Sequence, residues 1–128
     1  MENMGLCLDD RPDEGVFRVH RRVFTDPDIF QLEQKFIFER TWIFLTIESQ
    51  IPNPGDFFLS FMGEDRVICV RDNDGGFQVL VNSCRHRGMK VCRYDQGNTL
   101  VHTCPFHAWT YSLDGRLIGV PRQETLKY

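Results

Sequence analysis

The spacing of apolar positions changes near residue 42. Before it, Ile29, Leu32, Phe36 and Ile37 recur at intervals that mark one face of an amphipathic helix. Asp26-Pro27 supplies the start, an aspartate N-cap with proline at the first helical position, and the pattern fades near Arg40. Residues 1–25 keep no steady period and read as an irregular arm. Beyond Trp42 the apolar runs shorten and turn formers separate them. Ile51-Pro-Asn-Pro-Gly-Asp56 predicts a loop, residues 57–61 a strand, Gly63-Glu-Asp65 a turn, and residues 66–71 a second strand rich in Val and Ile. Asn73-Asp-Gly-Gly76 predicts a tight hairpin into a strand over 77–81. Gln96-Gly-Asn98 reads as a turn into a strand over 99–103. Ser112-Leu-Asp-Gly-Arg116 reads as a hairpin turn between Thr110-Tyr111 and Leu117-Ile118. Short strands this close together predict a mostly β fold, a small antiparallel sandwich or barrel with an N-terminal arm and helix. The expected division is residues 1–41 for arm and helix and 42–128 for the β domain.

Size and composition narrow this reading without redirecting it. The 128 residues are enough for a core without disulfides, and 41% apolar with 26% charged residues is ordinary for a soluble globular chain. The longest apolar run, Trp42-Ile43-Phe44-Leu45, falls far short of the roughly 20 residues of a membrane span. The acidic start M-E-N-M-G-L-C-L-D-D has no signal-peptide pattern, and the expectation is a cytoplasmic protein without a membrane role. A formal charge of -3 gives no general attraction to nucleic acid. The charge is uneven, however: acids dominate residues 1–74, whereas Arg85, Arg87, Lys90 and Arg93 crowd one loop. That loop reads either as a solvated segment with local salt bridges or as a docking patch for an acidic protein.

Five cysteines, an odd number, argue against a disulfide framework. Cys69, in R-V-I-C-V-R, and Cys92 read as structural thiols, and Cys7 falls on the arm. Cys84 and Cys104 are different, because each has a histidine close by: C-R-H from Cys84 to His86 and, seventeen residues on, C-P-F-H from Cys104 to His107. Zinc knuckles pair cysteine with cysteine and histidine with histidine at two- to five-residue spacings, and this mixed pattern does not match. It suits a two-metal centre clasped between two loops, each sending its cysteine to one metal and its histidine to the other. His20 and His102 read as surface and structural or solvent-facing residues.

The segments C-R-H-R-G and C-P-F-H-A-W-T-Y, with F-E-R-T-W-I-F-L, P-G-D-F-F and M-G-E-D-R-V-I-C-V-R, resemble the Rieske domain of aromatic ring-hydroxylating dioxygenase alpha subunits, of the biphenyl and naphthalene dioxygenase type. The resemblance implies a Rieske-type β fold over residues 42–128. It also implies a [2Fe-2S] cluster with Cys84 and Cys104 on one iron and His86 and His107 on the other. Arg85, Arg87, Gly88 and Trp109 are expected to supply further contacts to that cofactor. Two ferric irons and two sulfides carry two positive charges, which two thiolates cancel, so the oxidised centre is neutral and easier to reduce than an all-cysteine one. High-potential respiratory relatives tie the cluster loops by a disulfide and add a serine hydroxyl. Here Met89 and Phe106 stand at the disulfide positions and Trp109 at the serine's, so a low potential is expected. Ala108 stands where glycine is usual and Phe106 where tyrosine is common.

The family further implies partners: a ferredoxin or NADH-dependent reductase as donor, a catalytic domain with mononuclear Fe(II) in a neighbouring protomer, and a possible beta subunit. No mononuclear-iron motif occurs in these residues. The alternative is a free-standing Rieske-type ferredoxin. The forty residues before the β domain argue against it, since such carriers begin almost directly with the sheet.

Overall fold

The computed structural model describes residues 7–126, and the chain divides after Ile43 into two compact units. The first unit opens with an antiparallel hairpin, β1 (Leu8–Arg11) against β2 (Val16–Val19), turned by a single 3-10 turn at Pro12–Glu14. Gly15, at φ +65°, closes that turn because a left-handed residue there costs glycine least. A one-turn helix α1 (Arg22–Thr25) follows, so residues 8–25 are not the irregular arm expected. Cys7 sits at the hairpin's root, where its carbonyl accepts the His20 N–H at 2.8 Å.

Helix α2 (Pro27–Glu33) starts as the sequence requires, with Asp26 Oδ1 accepting the Asp28 N–H at 3.0 Å and proline in the first turn. Its continuation, Gln34–Phe38, widens to a π turn in which the Glu39 N–H donates to the Gln34 carbonyl at 2.9 Å. The helical stretch therefore nears Arg40 as expected, but not at a constant 3.6-residue period.

The second unit holds two antiparallel sheets. One has the order β5-β4-β3-β6, from β3 (Asp56–Met62), β4 (Asp65–Arg71), β5 (Phe77–Val81) and β6 (Gln96–Asn98). The other has the order β7-β8-β9, from β7 (His102–Thr103), β8 (Thr110–Tyr111) and β9 (Leu117–Gly119). A short helix α3 (Gln123–Leu126) follows. Strand β4 is buried on both faces. Val67 and Cys69 pack with Ile51, and Ile68 and Val70 pack with Phe57, Cys92 and Leu113, as alternation along a central strand dictates. Cys69 and Cys92 are thus core thiols, as expected, and burial raises both above the ordinary cysteine value. Leu113, in the β8–β9 turn, is buried in the core of the first sheet and joins the two layers.

The strand expected over 99–103 is displaced. Gln96–Asn98 itself pairs with β3 on the sheet edge, and only His102–Thr103 extends beyond it. Gly97 permits the edge pairing, since a Cβ there would lie 3.1 Å from the Phe57 ring.

Candidate metal centre

Two loops carry the four candidate ligands, and their backbones repeat. In the first, the Cys84 N–H donates to the Met89 carbonyl at 2.8 Å and the Gly88 N–H to the Cys84 carbonyl at 2.8 Å. In the second, the Cys104 N–H donates to the Trp109 carbonyl at 2.8 Å and the Ala108 N–H to the Cys104 carbonyl at 3.0 Å. In each loop the fourth residue after the cysteine is left-handed, Gly88 at φ +69° and Ala108 at φ +56°. Glycine takes this conformation freely and alanine under strain. The protein leaves room for a Cβ at Gly88, with nothing nearer than Ser83 Oγ at 3.9 Å, so backbone conformation is what its glycine serves within the chain.

The first loop leaves β5 and is closed at its base by Asn82. That buried side chain donates to the Cys92 carbonyl at 2.8 Å and accepts the Cys92 N–H at 2.9 Å. The second loop is the β7–β8 connection, so strand pairing closes it. His102, on β7, is 4% exposed and meets the Phe57 ring edge-on at 5.8 Å. It is a structural residue, with its Nε2 buried and unpartnered among the described residues. His20 is exposed, its Nδ1 accepting the Arg22 N–H at 3.2 Å.

The loops bring like donors together. Cys84 and Cys104 are each 2% exposed and pack with Tyr111. The His86 and His107 rings lie 4.8 Å apart at 66°. Trp109 stacks on His86 at 4.8 Å and 9°, and Phe106 lies against His107 at 4.0 Å. Trp109 also packs on the Cys84, Cys104 and Tyr111 cluster, so the same ring fills the core and holds the His86 ring plane. Among the described residues no three His, Cys, Asp or Glu side chains gather around a point for one ion. The donors come instead as a thiol pair and an imidazole pair, which is what two irons bridged by sulfides require, since each iron then takes two protein ligands.

Electrostatics favour the ligand forms. Burial works to raise the Cys84 thiol, but the Tyr111 hydroxyl, the His86 and Arg87 N–H groups and the Cys104 thiol outweigh it and hold Cys84 below the ordinary value. The His86 imidazole is lowered by burial and then by His107 and Arg87, which favours the neutral, metal-binding form. Arg85, Arg87 and Gly88 offer backbone N–H groups at the site, the Arg87 charge also bears on His86, and both arginines are exposed.

Sequence reasoning missed Tyr111. Its hydroxyl accepts the Arg85 N–H at 3.0 Å and lies 3.2 Å from Cys84 Sγ. With its oxygen already accepting from Arg85, its proton is free to point at the sulfur.

Residues 41–128 match the family model described as the Rieske [2Fe-2S] domain. The chain belongs to the Rieske [2Fe-2S] domain family. The Rieske domain is similar to the anthranilate 1,2-dioxygenase large subunit of Acinetobacter baylyi, at 47% identity over 114 residues, 89% of this chain and 24% of that protein. It is also similar to the benzene 1,2-dioxygenase alpha subunit of Pseudomonas putida, at 47% over 109 residues, 85% of this chain and 24% of that one. Among solved structures, naphthalene 1,2-dioxygenase from a Rhodococcus species superposes with a TM-score of 0.79 at 42% identity, covering 85% of this chain and 25% of that one. The chain therefore spans about a quarter of the length of these relatives.

Proposed function

We propose that this Rieske domain is the electron-relay part of an aromatic ring-hydroxylating dioxygenase alpha subunit. In this reading Cys84 and Cys104 hold one iron, and His86 and His107 hold the other. When bound, such a cluster supplies a one-electron relay between an external donor and the mononuclear iron of a catalytic domain in a neighbouring protomer. The observation that carries the ligand assignment is the pairing of donors, two buried thiols side by side and two imidazoles side by side. The thiolates bring negative charge to the buried side of the site, and the Tyr111 hydroxyl donates to one of them. The imidazoles are the less buried pair, His86 half-buried and His107 exposed, on the side where a donor or acceptor would approach. Burial of the sulfurs excludes water from them.

The printed names of the three relatives described above, two dioxygenase subunits and one dioxygenase chain, support the alpha-subunit assignment over a free-standing ferredoxin. A ferredoxin or NADH-dependent reductase would feed the site, and a beta subunit would complete the assembly. Five cysteines without a disulfide support a reducing, cytoplasmic setting. No helix among the described residues is long and apolar enough to cross a membrane.

Low-temperature EPR after dithionite reduction, with iron and sulfide analysis, tests the reading. The expected result is about two irons per chain and a rhombic signal whose average g lies below that of all-cysteine clusters. Serine at Cys84 or alanine at His107 should abolish it. A colourless protein holding zinc, or one holding no metal, would overturn the ligand assignment.

A further inference from the structure

We infer that Asn82 is a positioning residue for the proposed cluster, a side-chain clamp that sets where the first ligand loop stands relative to the second. This rests on the ligand assignment proposed above and adds the residue that keeps Cys84 and His86 in register with Cys104 and His107. Asn82 follows the last residue of β5, and its N–H donates to the Arg66 carbonyl at 2.8 Å, one step beyond the strand. Its side chain takes both backbone groups of Cys92, accepting from the N–H at 2.9 Å and donating to the carbonyl at 2.8 Å. One amide that donates to and accepts from the same residue imitates a hydrogen-bonded pair of an antiparallel sheet.

Both ends of the clamp are anchored. Asn82 is 5% exposed, and Cys92 packs in the core with Phe57, Ile68, Val70 and Leu113. Residues 83–91 between them form neither strand nor helix, yet they carry Cys84 and His86. The bonds from the Cys84 N–H to Met89 and from the Gly88 N–H to Cys84 run inside the loop. They give the loop its shape and leave its place undetermined. Its place comes from Asn82 at the base and from Tyr111, which holds the Arg85 N–H. The second loop is joined to its base by strand pairing, His102 with Tyr111 and Thr103 with Thr110. In the first loop the Asn82 side chain takes the part that this pairing plays.

Each thiol moves with its own loop, so the spacing of Cys84 and Cys104 follows the spacing of the loops. A ligand set holds its geometry only while the groups behind it are locked by packing and hydrogen bonds. Without the Asn82 amide, the buried N–H and carbonyl of Cys92 lose their partners and residues 83–91 are free to shift as a body. Cys84, now buried beside Tyr111, would then take a range of positions and meet water. A range of ligand positions broadens the EPR lines, and a wetted thiolate is displaced sooner.

The test compares the full chain, as parent, Asn82→Ala and Ile51→Ala, by EPR after dithionite reduction, iron release to a chelator, and hydrogen exchange of residues 83–92. Ile51 packs with Val67 and Cys69, the side chains of β4 that alternate with those packed on Cys92, so its truncation lowers stability without touching the clamp. Asn82→Ala should broaden the EPR lines and speed both iron release and exchange at least about tenfold. Ile51→Ala should keep the parent's line shape and release iron within about threefold of it. If the alanine variant at 82 does not fold, Asn82→Asp carries the comparison. It keeps the acceptor for the Cys92 N–H, loses the donor, and should release iron at least about threefold faster than the parent. Parental line shape and iron release in the Asn82 variants, or equal changes in Ile51→Ala, would overturn the inference. A parent without a cluster signal overturns the ligand assignment and the inference with it, whereas a parental signal matched by Asn82→Ala overturns the inference alone.

Discussion

Replacing Tyr111 with phenylalanine removes one oxygen and leaves the ring that packs on Cys84 and Cys104. Two hydrogen bonds go with that oxygen, the one accepted from Arg85 N–H at 3.0 Å and the one shared with Cys84 Sγ at 3.2 Å, which the hydroxyl donates when the sulfur is a thiolate. The second bears on the redox equilibrium. A hydrogen bond to a charged acceptor is worth about 1.5–3 kcal/mol, but only its strengthening on reduction shifts the potential. Taking that increment as about 1 kcal/mol, and about 59 mV per tenfold change for one electron, the midpoint should fall by about 40 mV. The lost Arg85 bond should lower stability by about 1 kcal/mol. Redox titration followed by visible circular dichroism gives the first number, and urea denaturation the second. A midpoint that rises, or that moves less than about 10 mV from the parent, would refute the claim that this hydroxyl donates to the sulfur.

The midpoint of the unmodified protein should itself lie below about +100 mV within the Rieske range, because Met89 and Phe106 supply no loop disulfide and Trp109 no hydroxyl. Potentiometry checks this. Ala108→Gly should raise stability by about 1 kcal/mol, since φ +56° strains alanine and not glycine, and an unchanged urea midpoint would contradict it. His102→Phe should flatten the acid side of the stability profile. Burial holds the folded imidazole below its ordinary value, so the unfolded chain takes the proton first. Stability is intact above the unfolded value, near about 6.5, and falls as pH drops through it toward the folded value. Urea midpoints of the two proteins should run parallel above about pH 7 and diverge below it; parallel curves throughout would exclude His102 as the cause.

What the sequence revealed depended on how local each signal was. Asp26-Pro27 announced a helix because its cap bonds within two residues. The strands around Val67 to Val70 were visible because β-branched runs between turn formers leave few other options. The hairpin at Leu8 to Val19 was not, since Leu-Asp-Asp-Arg and Val-Phe-Arg-Val lack clean alternation and Pro12 and Gly15 read as breakers. The π turn was invisible because Gln34 to Phe38 are ordinary helix residues. At the site, cysteine and histidine spacing pointed to the two thiols and two imidazoles that the fold brings together in pairs. The repeated backbone had a readable trace, a small residue four positions after each cysteine, Gly88 and Ala108. Tyr111 and Asn82 had none, because tyrosine on a strand is a β former by default and the Asn82 bonds reach ten residues along the chain.

The second sheet is built from strands of two, two and three residues, too few to hold themselves in place. In the proposed ligation, a metal centre gripping Cys84 and Cys104 joins points twenty residues apart and acts as a cross-link. By the loop-closure argument used for disulfides, that is worth about 3 kcal/mol. Iron supply then becomes a matter of lifespan as well as of redox competence. In that reading a chain lacking the centre would open first at residues 102–119 and offer that segment to proteases.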